Sequence, residues 1–181
     1  MGVGMVFRLA VADDLPKLCA VFGEIVKDMD RNNICIWDDV YPCTFFTGDI
    51  DNGRLYVLEE NEQIVSAFAL CDSNAGADSI IWENRQGKAL YLDRFGVNVD
   101  FARKGIGTKM LDFAVELAKG KGAETLRLFV VDVNMPAINL YRKIGFRQAA
   151  GVYHQYIGDG VVLREFGFEI GTDTGFERSA P

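Results

Sequence analysis

The sequence has few of the residues from which proteins build metal sites and disulfide frameworks. It contains one histidine, His154, and four cysteines among 181 residues. The cysteines form no CxxC pair, and no Cys/His cluster surrounds His154. This scarcity argues against a zinc site and against a disulfide scaffold. We therefore expect reduced thiols, a cytoplasmic protein, a structural role for His154 and no metal.

Long apolar runs and an excess of basic residues are also missing. No stretch approaches the roughly 18 apolar residues that a membrane span needs, and residues 1–6 carry no basic targeting segment. The 19 lysines and arginines are outnumbered by 26 acidic residues, which gives a net charge of −7. An acidic surface repels phosphate backbones, so we expect neither a nucleic-acid nor a membrane partner. The acidity is compatible with a cationic substrate such as an amine, but a role in solubility alone is the favoured explanation.

Hydrophobic periodicity predicts the element order β-α-α-β-β-β-α-β-α-β-β. Residues 34–53 are predicted as two short helices joined by a loop, and residues 72–88 as a surface loop. A mixed sheet with helices on both faces is the natural packing for this order. We expect one domain over residues 1–170 and a polar tail over 171–181.

A glycine-containing turn joins a predicted strand that ends near Val99 to a helix that begins near Gly105. Backbone N–H groups at a helix start lack intrahelical partners, and the helix dipole adds positive charge there. Such a turn binds phosphate readily, and Arg103 and Lys104 add full charges beside it. The alternative, which we favour less, is that Gly105 and Gly107 serve only as flexible turn residues.

Two familiar nucleotide motifs do not fit this turn. A Walker loop requires a lysine after its last glycine, whereas Lys104 precedes Gly105. A dinucleotide fingerprint requires a third glycine where Met110 stands. The turn is therefore a phosphate cradle of another kind.

Two segments together carry a family resemblance. Residues 97–108 resemble the central motif of the GCN5-related N-acetyltransferases (GNAT), [QR]-x-x-G-x-[GA], and the pattern from Asn134 through Tyr141 to Phe146 resembles their second signature. The resemblance covers about residues 7–168 and implies a mostly antiparallel central sheet and acetyl-CoA as co-substrate. Ala102 departs from the family because it stands where Gln or Arg is preferred.

The resemblance implies a set of residues that hold the cofactor. The loop amides would bind the pyrophosphate of coenzyme A, the strand before the loop would bind the pantetheine amides, and a backbone N–H near Val97 would polarise the thioester carbonyl. Asn134 would hold the pantetheine arm or cap its helix, and the two roles are compatible. The implied cofactor-binding residues are Val97, Asn98, Val99, Arg103, Lys104, Gly105, Ile106, Gly107, Thr108, Asn134, Ala137 and Tyr141.

The resemblance also suggests catalytic groups. Tyr141 is the expected general acid for the departing sulfur, and its alternative is a core tyrosine at helical spacing. The family often places its base on the strand before the turn, where this chain has Asp93 and Tyr91 on one strand face. Asp93 would accept the amine proton or orient the amine, unless it only pairs with Arg94; Glu83 is a weaker candidate.

The acceptor side is the least patterned part of the sequence. Trp37 and Tyr41 fall where family members build the acceptor wall, and they serve equally well as a cover for the sheet. We expect an N-acyltransferase that moves acetyl to a primary amine of a small molecule, amino acid or peptide, as monomer or homodimer. The alternative is a non-catalytic acyl-CoA-binding sensor.

Overall fold

The structure, a computed structural model, describes residues 4–157 and 160–173. Within these residues it contains ten strands and four α-helices. The strands are β1 (Val6–Leu9), β2 (Leu55–Glu60), β3 (Gln63–Cys71), β4 (Ile80–Ile81), β5 (Ala89–Val97), β6 (Thr125–Val131), β7 (Arg147–Gln148), β8 (Ala150–Gly151), β9 (Tyr153–Tyr156) and β10 (Val162–Gly171). The helices are α1 (Leu15–Arg31), α2 (Cys43–Asp51), α3 (Ile106–Gly120) and α4 (Met135–Ile144).

The main sheet has the strand order β1-β2-β3-β5-β6-β10-β7, with β9 paired to β10. Its pairs are antiparallel except β5 with β6. One core lies under α3 and α4 and contains Met110 and Ile138; the other lies under α1 and α2 and contains Phe22 and Phe46. The predicted fold class, a mixed and mostly antiparallel sheet with helices on both faces, is confirmed.

Helix boundaries follow the local sequence. In α1, Leu18, Phe22, Ile25 and Val26 are buried at helical spacing. The α4 helix is capped at its start by Asn134, whose side chain accepts the Ala137 N–H, and at its end by Gly145, which has φ of +105°.

A β-bulge interrupts β5 in its middle. Arg94 and Phe95 together oppose Phe68 of β3, and Arg94 has φ of +50°. The extra residue shifts the alternation, so Leu92 before the bulge and Phe95 after it both pack on the α3 side. The bulge bends β5 at the point where it leaves its other neighbour.

The strands β5 and β6 pair only at their first halves. Residues Ala89 to Leu92 align with Thr125 to Leu128, and the two strands then separate. A parallel pair that separates leaves the backbone N–H and C=O groups on its inner edges available to a ligand. The opening between the separated ends of β5 and β6, here called the wedge, contains the candidate site.

Three predictions about secondary structure were wrong. Residues 34–42 form no helix: the Asp38 carboxylate instead accepts the N–H groups of Val40 and Tyr41, which favours a turn. The loop at 72–88 contains the short strand β4, paired with β8. The strand before the turn ends at Val97, because the Asn98 side chain accepts the Asp100 N–H and starts a 3₁₀ turn.

The chain end differs in part from the predicted tail. The β10 strand includes Gly171, and Thr172 binds the Glu124 and Ala123 carbonyls. The remainder of the predicted tail, 174–181, lies outside the described residues. No helix within the described ranges is long and apolar enough to cross a membrane.

Candidate functional site

A cavity of about 480 Å³ opens in the wedge between β5 and β6. Residues 92–97 and 129–131 form its floor, and α4 contributes Asn134, Ala137 and Tyr141. The segment before α2 contributes Trp37 and Tyr41 from the opposite side. Segments far apart in sequence therefore meet at one opening.

Tyr141 is a buried phenol in the cavity wall. Its ring packs against Phe146 and Phe168 at centroid distances of 5.9 and 6.2 Å. Burial raises the pKa of Tyr141 above its ordinary value, so the phenol keeps its proton at neutral pH. No hydrogen-bond partner of its hydroxyl occurs among the residues that the structure describes. The group can therefore donate a proton to a ligand in the cavity.

Asp93 lies on the cavity floor just before the bulge. The Asn74 side-chain amide donates to it at 3.2 Å, and Arg94 Nη1 lies 3.9 Å from its carboxylate. Burial raises the pKa of Asp93, while Arg94 opposes that shift. The predicted contact with Arg94 is present, but the carboxyl also faces the cavity.

Glu165 is a second carboxyl in the cavity, and the sequence analysis did not single it out. It lies on β10 opposite Val131 and Tyr153. Burial, with a smaller effect of Asp93, raises the pKa of Glu165 to about 7. Its sequence signal is a glutamate followed by the buried stretch of β10, but only the pairing of β10 with β6 brings it to the wedge.

Aromatic side chains form the cavity wall on the side opposite α4. Tyr41 makes edge contacts with Trp37 at 6.0 Å and with Phe45 at 5.4 Å, and Trp37 stacks on Phe22 of α1. The Arg94 guanidinium lies 5.4 Å from the Phe45 ring centre. Both Trp37 and Tyr41 therefore line the cavity, and Trp37 also packs against the core under α1 and α2.

The structure does not bring two other candidates into this cavity. The Tyr91 hydroxyl accepts a hydrogen bond from Arg127 at 3.1 Å, inside a buried cluster with Trp82. Glu83 forms a salt bridge with Arg147 at 2.5 Å on the surface. Both side chains serve structural contacts away from the wedge.

The glycine turn presents an uncapped helix start. Gly105, at the N-cap of α3, has φ of +79°, and an added Cβ there would find no atom within 4 Å. Arg103 also has positive φ, at +60°. Lys104 donates to the Asp100 carbonyl at 2.9 Å, and Ala102 is exposed. An open backbone with free N–H groups at a helix start fits a pyrophosphate.

The next residues of the turn anchor it to the protein. Ile106 is buried in the core, and Thr108 is half-buried. A Cβ on Gly107 would lie 2.9 Å from Leu140 of α4, so this glycine permits close helix packing. Leu140 also lines the cavity, and it therefore connects the turn to the wedge. The turn residues themselves are not part of the cavity wall.

The backbone of Val97 is oriented by a buried serine. Ser66 of β3 is fully buried, and its hydroxyl donates to the Gly96 carbonyl at 2.6 Å. The carbonyl and N–H of a trans peptide point in opposite directions. Since the Gly96 carbonyl points to β3, the Val97 N–H points to the wedge, where Val97 lines the cavity.

Other predicted cofactor residues have structural partners of their own. Asn98 donates to the Ile64 carbonyl at 3.0 Å, and Val99 lies in the 3₁₀ turn after β5. The Asn134 carbonyl oxygen accepts the Ala137 N–H at 3.3 Å, so the capping role is present while both residues also line the cavity.

Metal ligands do not gather here. In the described ranges, no group of three His, Cys, Asp or Glu side chains is placed to hold a metal ion. His154 is exposed on β9. The four cysteines are free thiols.

Comparison with known proteins identifies acetyltransferases both by family model and by sequence similarity. The acetyltransferase (GNAT) family model matches residues 24–146. A thialysine N-epsilon-acetyltransferase of Sus scrofa is 32% identical over 98 residues, which are 52% of this chain. That match spans 57% of the relative, so the chain covers little more than half of its length.

Solved structures share the fold over nearly the whole chain. A GNAT-family acetyltransferase of Streptococcus agalactiae has a TM-score of 0.75 at 20% identity, with 93% of this chain and 96% of that one covered. Arabidopsis thaliana NAA60, solved with acetyl-CoA, has a TM-score of 0.66 at 20% identity, with 93% and 99% covered. At these identities, the likeness shows the fold.

Proposed function

Because the chain belongs to the acetyltransferase (GNAT) family, we propose that it transfers an acetyl group from acetyl-CoA to a primary amine of a small molecule, amino acid or peptide. The observation that carries this proposal is the cavity in the β5/β6 wedge, where a protonated phenol, two carboxyls and an inward backbone N–H meet. The Sus scrofa relative, named for acetylation at an epsilon nitrogen, supports an amine acceptor.

The glycine turn is the proposed pyrophosphate site. Its backbone is open at Gly105, and the first N–H groups of α3 have no intrahelical acceptors. Arg103 and Lys104 add positive charge beside it. The inner edges of β5 and β6 and the side chain of Asn134 would bind the pantetheine arm.

The acceptor amine must lose a proton before it attacks, since its ordinary pKa is about 10.4. Glu165 is the better-matched base, because a base whose pKa lies near the working pH is the most effective. Asp93, the base expected from the sequence, then orients the amine through its carboxylate.

Acetyl-CoA supplies the acetyl group as a thioester, in which the carbon–nitrogen bond forms as the carbon–sulfur bond breaks. The Val97 N–H points to the wedge and would donate to the carbonyl oxygen as it gains negative charge. Tyr141 would give its proton to the departing sulfur. The amine loses two protons as it becomes an amide: Glu165 takes the first before the attack, and the second leaves the nitrogen as the carbon–sulfur bond breaks and restores the proton of Tyr141, so the step balances.

The test is a steady-state assay of free coenzyme A release with acetyl-CoA and a panel of primary amines. We expect saturable turnover with at least one amine, and mass spectrometry should show a product heavier by one acetyl group. Tight acetyl-CoA binding by calorimetry without turnover on any amine would contradict the proposal and favour a non-catalytic acyl-CoA sensor.

A further inference from the structure

Arg54 is a cation in the cavity wall that the acetyl-transfer chemistry does not use. It immediately precedes β2, and its Nε donates to the Asp49 carboxylate at 2.7 Å. The side chain is 40% exposed. No hydrogen-bond partner for its two Nη groups occurs among residues 4–157 and 160–173. The outer edge of the guanidinium is therefore available to a ligand.

Of the two arginines in the cavity wall, Arg54 is the one whose guanidinium is less fully paired with carboxylates. Asp49 is fully buried and is shared by two arginines, since it also accepts Arg94 Nε at 2.6 Å and Arg94 Nη2 at 3.1 Å. Asp93 lies 3.9 Å from the remaining Nη of Arg94. The Arg94 side chain is 8% exposed and lies between two carboxylates, those of Asp49 and Asp93. Arg54 contacts only the Asp49 carboxylate, which it shares with Arg94. The cation that faces the cavity with its charge least balanced is Arg54.

Arg54 lies at one side of the cavity, and Glu165 lies at the other. In the sheet order β2-β3-β5-β6-β10, Asp93 of β5 stands between them. Neighbouring strands lie about 4.8 Å apart, so β5 is roughly 10 Å from β2 on one side and roughly 10 Å from β10 on the other, and the side chains of Arg54 and Glu165 shorten the gap. A small molecule can therefore reach Arg54 with one end while its other end meets Asp93 and Glu165.

We propose that Arg54 binds a carboxylate group of the acceptor, so that the preferred acceptors are amines that also carry a carboxylate. This inference depends on the proposed acetyl transfer, and it narrows the class of acceptor. The amine lies between Asp93 and Glu165, and the acceptor carboxylate takes the two free Nη groups of Arg54 in a paired hydrogen bond. The two ends of the cavity thus recognise opposite charges on one molecule.

A carboxylate fits this position better than a phosphate does. Two arginines in and behind the wall face three carboxyls, namely Asp49, Asp93 and Glu165. A doubly charged phosphate would meet this acidic surrounding with a single free guanidinium edge. A singly charged, planar carboxylate needs no more than that edge.

The experiment compares matched amines with and without a carboxylate. Phenylalanine is paired with 2-phenylethylamine, and 6-aminohexanoate with pentylamine, so that both short and long separations of the two groups are covered. We expect kcat/KM to favour the carboxylate-bearing member of at least one pair by about 10-fold or more, as for a charge-assisted paired hydrogen bond.

Arg54→Gln should abolish this preference by raising KM for the carboxylate-bearing amine, with little change for its partner. Arg54→Lys keeps the charge without the planar fork and should retain part of the preference. It also guards against misfolding of the glutamine variant, which circular dichroism checks. Arg31→Gln, on the exposed face of α1, is the control and should retain the full preference.

Turnover of amines with no carboxylate preference would overturn the inference while the proposed function stands. An unchanged preference in Arg54→Gln would also overturn it. Absence of turnover on all four amines and on the wider panel, despite acetyl-CoA binding, would instead contradict the proposed function.

Discussion

The proposed binding regions for the acetyl donor and for the acceptor are formed by different kinds of groups. On the donor side, the turn before α3 is one short segment whose open backbone at Gly105 forms the proposed anion site. On the acceptor side, side chains of Trp37, Arg54, Asp93 and Glu165 come from four distant segments. We infer that the donor side depends on backbone conformation and the acceptor side on individual side chains.

The difference explains how the two sides tolerate change. A backbone cradle is expected to bind its ligand even with Ala102 in place of the family's Gln or Arg, because its proposed binding groups are main-chain N–H groups. The carboxyls of Asp93 and Glu165 are not replaceable in this way, since the roles proposed for them depend on the side chains themselves.

The largest expected effect tests the group that stands between the two sides. Tyr141→Phe should lower kcat about 100-fold or more, as for loss of a general acid, with acetyl-CoA affinity nearly unchanged. Steady-state kinetics and calorimetry measure both. A kcat within a factor of two of the wild-type value would remove Tyr141 from the mechanism and leave it as a core residue.

Backbone conformation on the donor side is tested next. Gly105→Val places a β-branched residue at φ of +79° and should weaken acetyl-CoA binding about 10- to 100-fold by strain at the helix start. Gly122→Val is the matched control, because Gly122 has φ of +74° with open space at the other end of α3. Ala102→Gln should change affinity less than about twofold if main-chain groups dominate.

Equal loss of affinity in Gly105→Val and Gly122→Val would mean that general destabilisation, rather than the turn, is responsible. A large gain in acetyl-CoA affinity from Ala102→Gln would show that donor binding also depends on a side chain. It would contradict the distinction between a backbone-based donor site and a side-chain-based acceptor site.

The acceptor-side base is tested by pH. The amine transfers its proton to an ionised carboxylate, so the rate should rise as pH increases through about 7, the pKa of Glu165. Glu165→Gln should remove this limb and lower kcat about 10-fold or more at pH 8. If the limb persists in Glu165→Gln and disappears in Asp93→Asn, then Asp93 is the base.

The same substitution has a second readout in stability. The pKa of Glu165 is raised in the folded protein, so the folded state retains its proton to higher pH than the unfolded chain does. Its contribution to stability is then lost as pH rises from the ordinary carboxyl range to above 7. We expect Glu165→Gln to raise Tm at pH 8 and to leave it unchanged at pH 4, by scanning calorimetry.

The smallest effect concerns the buried serine behind β5. Ser66→Ala should lower kcat several-fold, up to about 10-fold, because one hydrogen bond that orients the Val97 N–H is lost. KM for acetyl-CoA should stay the same. Thr125→Val is the matched control, since the buried Thr125 hydroxyl has no partner among the described residues. Similar kcat losses in both variants would mean that Ser66 acts only through stability.

Local signals were sufficient for much of the fold. Helical spacing predicted α1 and α3, and the cap at Asn134 with Gly145 after the last turn predicted α4. The helix expected over part of 34–42 does not form, because the Asp38 side chain competes for backbone N–H groups. Short-range patterns succeed where one local interaction dominates, and they fail where a side chain offers the backbone an alternative.

The residues of the candidate site also differ in whether a local sequence pattern identifies them. Gly105 and Tyr141 were visible in the sequence because spacing within one segment defines them. Glu165 and Arg54 were missed, since a charged residue beside a strand carries no local mark of its eventual neighbours. Tyr91 shares a strand face with Asp93, but its hydroxyl is taken by Arg127 from the next strand.

The sequence by itself determined most of the order of the elements, the resemblance to a family and the position of the glycine turn, because these depend on interactions between near neighbours in the chain. Only the tertiary structure decided which side chains face the cavity. The bulge at Arg94, the separation of β5 from β6 and the pairing of β10 with β6 bring Arg54, Asp93 and Glu165 to one cavity. Strand pairing over such distances is a cooperative property of the whole sheet.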